Sequence, residues 1–216
     1  MSLDLGCIKA IIFDFDGVVV NSEPFYEEAI VDVFHENNIV IPPEDWQDFK
    51  GMADKEFFPL MVTRYNFQGD PNILKEEIYT RMKLKLVKLN YIAGFRQFFD
   101  AIAQKYPVGL VTSTSRQHIQ WLVENTQIED LFDLKITATD VVNTKPHPEP
   151  FNRMAGLLAI EPSNIVVIED SINGLKAAQR AGMQTIALLT TFSKKEVDFA
   201  DATAGDYTAL AELFSL

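Results

Sequence analysis

The stretch Ile11-Ile12-Phe13-Asp14-Phe15-Asp16-Gly17 decides how the rest of the chain is read. A short apolar run ends in two carboxylates two residues apart, and a glycine follows. The run is apolar on both faces, which is how a strand buried on both sides of a parallel sheet reads. Buried carboxylates are unfavourable unless a cation meets them. A strand that carries two acids to its C-terminal tip therefore implies a metal, a proton transfer or a nucleophile at that tip.

Working outward, similar short runs occupy residues 108–111, 165–168 and 185–189, with a weaker one at 134–137. Helical patterns fall between them at 95–105, 116–125, 148–158 and 174–181. Strand alternating with helix predicts an α/β fold, a doubly wound parallel sheet of Rossmann-like type. Residues 22–88 break this rhythm. They carry helical patterns at 23–36, 55–65 and 73–89 and no convincing strand, with turns at Pro42-Pro43 and Gly69-Asp70-Pro71. The expected organisation is a catalytic core of residues 1–17 and 90–216, with a smaller all-helical domain of residues 18–89 inserted after the first strand.

The 216 residues carry a formal net charge of -12 and are 47% hydrophobic. Such a field repels nucleic acid and anionic membranes, so neither is an expected partner. A phosphorylated ligand would need a locally cationic or metal-bearing site. Cys7 is the only cysteine, which excludes an intrachain disulfide and a cysteine-rich zinc site. His35, His118 and His147 show no ligand-like pairing. No run approaches a membrane span and no signal peptide is read at the N-terminus, so a cytoplasmic monomer is expected.

In a doubly wound sheet, ligands bind beyond the carboxyl ends of the strands. Asp14 and Asp16 follow the first strand, and Thr112, Ser113 and Thr114 follow the second. Lys145 lies in Thr144-Lys145-Pro146-His147-Pro148 after the weaker strand, and Glu169 and Asp170 follow the next. Crowded carboxylates repel one another and take up protons. A hard divalent cation removes that conflict, and oxygen ligands without Cys or His favour magnesium. Asp14 and Asp170 are the expected ligands, with Glu169 a ligand or a partner of one. The hydroxyls suit a phosphoryl group, and Lys145 offsets negative charge. Phosphoryl transfer needs mainly positioning and charge neutralisation. Read singly, each piece has a plainer meaning: a turn, a helix cap, a solvated lysine or an acidic helix start. Their conjunction at successive strand ends favours a site.

Four stretches, Asp14-Phe15-Asp16-Gly17-Val18-Val19, Gly109-Leu110-Val111-Thr112-Ser113, Lys145-Pro146-His147-Pro148 and Ile168-Glu169-Asp170-Ser171 with Gly174, resemble in this order the haloacid dehalogenase-like hydrolase superfamily. The helical insertion resembles the cap of its β-phosphoglucomutase and sugar-phosphatase branch. The resemblance implies that Asp14 attacks phosphorus to form an aspartyl-phosphate. It implies that Asp16 protonates the leaving oxygen and then deprotonates the incoming water, while its main-chain carbonyl binds magnesium. Thr112 would hydrogen-bond the phosphoryl group, aided by Ser113 and Thr114. Lys145 would hold Asp14 and the phosphate, and Asp170 would bind magnesium supported by Glu169.

The segment Phe49-Lys50-Gly51-Met52-Ala53-Asp54-Lys55 resembles the part of the cap that sets specificity. Where the mutases carry a phosphate-gripping arginine, this chain has Asp54. It has Tyr26 where they have a histidine, and Ser115 where they have a lysine. Asn21-Ser22-Glu23-Pro24 instead resembles the Asp-Ser-Glu-Pro of sugar-phosphate phosphatases, and Glu149 replaces the usual aspartate. Loss of the second phosphate site favours hydrolysis of a small phosphate monoester, such as a sugar phosphate, with Glu23 and Lys55 as candidate substrate contacts. A phosphomutase acting on β-glucose 1-phosphate is the alternative. Phosphonate or haloacid hydrolysis and a non-catalytic binding protein are further readings. Asp16 argues against dehalogenation, where no leaving oxygen needs a proton.

Overall fold

In the computed structural model, which describes residues 3–49 and 54–216, six strands form one parallel sheet. They are β1 (Ala10–Phe13), β2 (Val108–Val111), β3 (Lys135–Ile136), β4 (Ile165–Glu169), β5 (Gln184–Leu188) and β6 (Ala202–Ala204), in the order β3-β2-β1-β4-β5-β6. This is the α/β doubly wound sheet expected from the sequence. Every residue of β1 is buried, because β1 is central and its alternate side chains enter two different cores. Ala10 and Ile12 join Val111, Phe151, Met154, Ile165 and Val167 on one side. On the other, the Phe13 ring meets those of Phe95, Phe98, Phe99 and Phe132 at centroid distances of 6.0, 6.3, 6.0 and 5.8 Å. Edge-on and tilted rings of this kind are the favoured aromatic arrangements.

The helices of the chain are α1 (Glu23–Glu36), α2 (Trp46–Phe49), α3 (Asp54–Arg64), α4 (Pro71–Leu86), α5 (Phe95–Ala103), α6 (Arg116–Asn125), α7 (Glu149–Leu158), α8 (Ile172–Arg180) and α9 (Tyr207–Leu213). Serines start two of those nearest the strand ends. Ser115 accepts a hydrogen bond from the His118 N–H at 3.2 Å to begin α6. Ser171 accepts one from the Gly174 N–H at 3.0 Å to begin α8. Both satisfy backbone donors that the first helical turn leaves open. The 3.6-residue period located the longer helices to within about three residues of their observed limits.

The chain divides into two compact units, Met1–Asn21 with Leu89–Leu216 and Ser22–Lys88. Residues 18–21 and Leu89 thus group with the sheet unit rather than with the insertion to which the sequence assigned them. The reason is local: Val18, Val19 and Val20 are buried, the Val19 and Val20 N–H groups both return to the Phe15 carbonyl, and the Ile92 N–H donates to Val19 O at 3.0 Å. The second unit is all helical. Leu74, Ile78, Met82 and Leu86 form a buried stripe on α4, and Ala29, Ile30, Val33 and Phe34 form one on α1. The two helices pack against each other. Arg81 clamps Glu36 through bonds of 2.7 and 2.8 Å at the edge of this packing. No helix among the described residues is long and apolar enough to cross a membrane.

Candidate active site

The strand order reverses between β1 and β4, the place where sheets of this kind bind ligands beyond the carboxyl ends of their strands. Asp14 lies immediately past β1, Glu169 ends β4 and Asp170 follows it. All three are buried, and one carboxylate oxygen from each falls within 4.8 Å of the others. Lys145 enters this group from the loop after β3. Its side chain is only 4% exposed, unlike a solvated surface lysine. It donates to Asp14 Oδ1 at 2.5 Å, to Glu169 Oε1 at 3.0 Å and to the Val111 carbonyl at 2.9 Å. An ammonium has three donors, and all three are met by fixed protein acceptors.

Glu169 is held by more than Lys145. The Ser171 N–H donates to its Oε2, and the Ser171 hydroxyl donates to its Oε1 at 3.1 Å. Gly174 makes room for it, since a Cβ there would come within 1.5 Å of Oε1. The first turn of α8 is therefore wrapped around a carboxylate, which the positive end of a helix favours. Gly17 plays the matching part for Asp170. Its φ is +76°, and a Cβ would lie 1.9 Å from Asp170 Oδ2.

Two of the carboxylates crowded around this one ammonium, Asp14 and Asp170, are shifted toward their protonated forms. Burial raises the Asp14 carboxyl well above the usual carboxylate range, partly countered by Lys145 and reinforced by Glu169 and Asp170. Burial, followed by the repulsion of Glu169, pushes Asp170 up to about 7. Burial alone would make Lys145 give up its proton, but Asp14 and then Glu169 hold it above the ordinary lysine value. A donor set of carboxylate oxygens alone, buried and in excess over the Lys145 ammonium, fits a hard divalent cation such as magnesium.

Asp16 is not one of those three carboxylates, although its charge bears on Asp170. Thr114 Oγ1 donates to Asp16 Oδ2 at 2.6 Å. Thr112 is buried, and its hydroxyl accepts the Thr114 N–H at 3.0 Å. Ser113 is exposed on the same turn. Sequence reasoning put Thr114 with the phosphate-binding hydroxyls, whereas the structure brings it to an acid. The loop carrying Lys145 is shaped by Glu149, which receives the Val142 and Asn143 N–H groups at 2.9 and 3.0 Å. Arg116, beside the cap Ser115, pairs with Asp140 at 2.8 Å.

Glu23 is exposed in the first turn of α1, and Tyr26 packs its ring 6.0 Å from those of Phe57 and Tyr79. Both belong to the helical unit. Residues 50–53 and the side chains of Asp54 and Lys55 lie outside the described residues, so the specificity segment read from the sequence has no structural counterpart to compare.

Two threonines after β5 escaped the sequence reading. Thr190 Oγ1 donates to the Gly17 carbonyl at 2.5 Å, and Thr191 Oγ1 donates to Asp170 Oδ2. A signal existed. They follow a strand as Thr112 to Thr114 do, but they match none of the four stretches that carry the family resemblance. Tyr207 was also missed: it is buried and donates to the Val18 carbonyl at 2.7 Å, tying α9 to the turn that carries Asp16.

A sequence model of the haloacid dehalogenase-like hydrolases matches residues 11–188, a span that includes Asp14, Asp16, Thr112, Lys145, Glu169 and Asp170. The chain belongs to this family. A protein of Arabidopsis thaliana named SUPPRESSOR OF QUENCHING 1, chloroplastic, is 31% identical over 88% of the chain, but the chain spans only 19% of that relative's length. A phosphorylated carbohydrates phosphatase of Thermotoga maritima is 27% identical, over 83% of the chain and 84% of the relative. Among solved structures of the family's fold, one from Thermotoga maritima, assigned provisionally as a beta-phosphoglucomutase, superposes with a TM-score of 0.84. It covers 97% of this chain and all of its own, at 24% identity. As a member of the haloacid dehalogenase-like hydrolases, the chain is an enzyme.

Proposed function

We propose that the chain is a magnesium-dependent phosphatase that cleaves a small phosphate monoester, a phosphorylated sugar, through an aspartyl-phosphate on Asp14. The observation that carries this reading is the separation of the two acids of Asp14-Phe15-Asp16. Asp14 is buried in the carboxylate cluster against Lys145, and Asp16 is outside that cluster on Thr114. One acid is thus set up for attack and the other for proton transfer.

Magnesium held by Asp14, Asp170 and the Asp16 carbonyl, with Glu169 in support, would neutralise charge building up on the phosphoryl oxygens. Lys145 fixes and partly neutralises Asp14, so that the carboxylate meets a phosphate dianion without a full pair of repelling charges. Asp14 forms the bond to phosphorus as the P–O bond to the leaving group breaks. Asp16 gives its proton to the departing alkoxide, then takes one from the water that attacks phosphorus and releases Asp14 and inorganic phosphate. Thr112 supports the phosphoryl oxygens. The helical unit is assigned substrate selection, with Glu23 and Lys55 as its contacts. The activity of the Thermotoga maritima relative on phosphorylated carbohydrates supports the substrate class. Asp54, where the mutases carry arginine, supports hydrolysis over mutase action.

Phosphate release from a panel of sugar phosphates with and without Mg2+ tests this. Release that needs Mg2+ and is absent in Asp14→Asn is expected. Conversion of β-glucose 1-phosphate to the 6-phosphate with little phosphate release would overturn the hydrolytic assignment.

A further inference from the structure

Thr190 and Thr191 close β5 next to the acidic site, and the proposed chemistry uses neither. The Thr191 hydroxyl donates to Asp170 Oδ2. The Thr190 hydroxyl donates to the Gly17 carbonyl at 2.5 Å. Gly17 and Asp170 are themselves in contact, since a Cβ on Gly17 would lie 1.9 Å from Oδ2 and 2.4 Å from the carboxyl carbon. The adjacent hydroxyls therefore grip both sides of one contact, the turn after β1 on one side and the carboxylate after β4 on the other.

We propose that Thr191 and Thr190 are positioning residues for the metal site: together they fix the Asp170 carboxylate in its metal-binding attitude against the Gly17 turn. The neighbouring carboxylates are restrained by other groups. Lys145 holds both Asp14 and Glu169, and Ser171 adds two bonds to Glu169. The Thr191 hydroxyl engages Oδ2 and so restrains the rotation of the Asp170 carboxylate. Partners that orient a metal-binding carboxylate commonly carry 10–100-fold of metal affinity. The inference rests on the reading of Asp14 and Asp170 as magnesium ligands.

Calorimetric titration of the full chain with MgCl2 in the absence of substrate tests it. Thr191→Val, which keeps the side-chain shape, is expected to weaken Mg2+ binding about tenfold or more. Thr191→Ser is expected to retain wild-type affinity, because it keeps the hydroxyl, and Thr190→Val to weaken binding by a smaller factor. Thr191→Ala serves the same measurement if valine is not tolerated. Wild-type affinity in Thr191→Val or Thr191→Ala overturns the inference and leaves the phosphatase reading standing. Absence of Mg2+ binding by the wild type overturns both.

Discussion

Gly174 and Glu169 occupy one space: a methyl group on the Gly174 Cα would come within 1.5 Å of Glu169 Oε1 and 2.0 Å of its carboxyl carbon. The carboxylate reaches Lys145 only because the first turn of α8 has no side chain at this point. Gly174→Ala should therefore turn Glu169 away and remove one of the two carboxylates that hold Lys145. A loss of about 1–3 kcal/mol in urea unfolding is expected from the crowding, with phosphate release falling alongside. Gly156, exposed on α7 with no atom within 4 Å of where a Cβ would lie, is the control. Gly156→Ala should stabilise the chain by about 0.5–1 kcal/mol through helix propensity and leave turnover unchanged.

Removal of the central cation should be costly in a pH-dependent way. Lys145→Met leaves Asp14 and Glu169 buried without their ammonium. Breaking a buried pair on one side costs about 3–5 kcal/mol. The loss should be largest near pH 8 and smaller near pH 5, where Asp14 takes up a proton instead. Lys145→Arg should not restore activity, because a planar fork cannot reproduce three diverging donors. Urea unfolding at the two pH values, with phosphate release at pH 8, checks this.

Magnesium and protons compete for the same oxygens. Asp170 binds its proton up to about pH 7 in the folded chain, against roughly 3.9 when unfolded. The folded state thus holds more protons between these values, and the metal-free chain loses stability from this group as pH rises from about 4 through 7. Asp14 acts in the same direction. Mg2+ binding to the ionised carboxylates releases those protons. The rise in melting temperature caused by saturating Mg2+ should therefore be larger at pH 8 than at pH 5.5, as differential scanning fluorimetry would show. An equal shift at both values would contradict the electrostatics of the cluster.

Thr114 holds the proposed acid and base Asp16 at 2.6 Å. Thr114→Val keeps the side-chain shape and removes the donor. Its expected effect is a fall of about 10–100-fold in kcat with little change in KM, since general acid–base catalysis contributes roughly 10²–10⁴-fold and part of it depends on orientation. Steady-state kinetics on a good substrate separates the two constants.

The sheet was legible because its central strands are almost purely apolar. Ile11, Ile12 and Phe13 have no polar face to present, which only a doubly covered strand tolerates. β6 was not legible: Ala202, Thr203 and Ala204 have neither bulk nor alternation, and the strand exists because it adds to the edge of β5. The acids and Lys145 could be placed because strand ends in this topology converge on one crevice. Thr114 was assigned to phosphate and found on Asp16 because a hydroxyl's partner is set by the turn geometry between β2 and α6, which residue identity does not encode. Thr190, Thr191 and Tyr207 act through hydrogen bonds to residues about 20 to 190 positions away in the chain, so the position of the threonines after a strand hints at a role but does not name their partners.

The central claim is that Asp14 carries the phosphoryl group. Acid quenching of the wild-type chain during turnover of a ³²P-labelled sugar phosphate with Mg2+, followed by peptide mapping, measures this directly. The label should reside on the peptide containing Asp14 and vanish in Asp14→Asn, which should also release no phosphate. Sustained turnover with no labelled protein, together with undiminished phosphate release by Asp14→Asn, would contradict it.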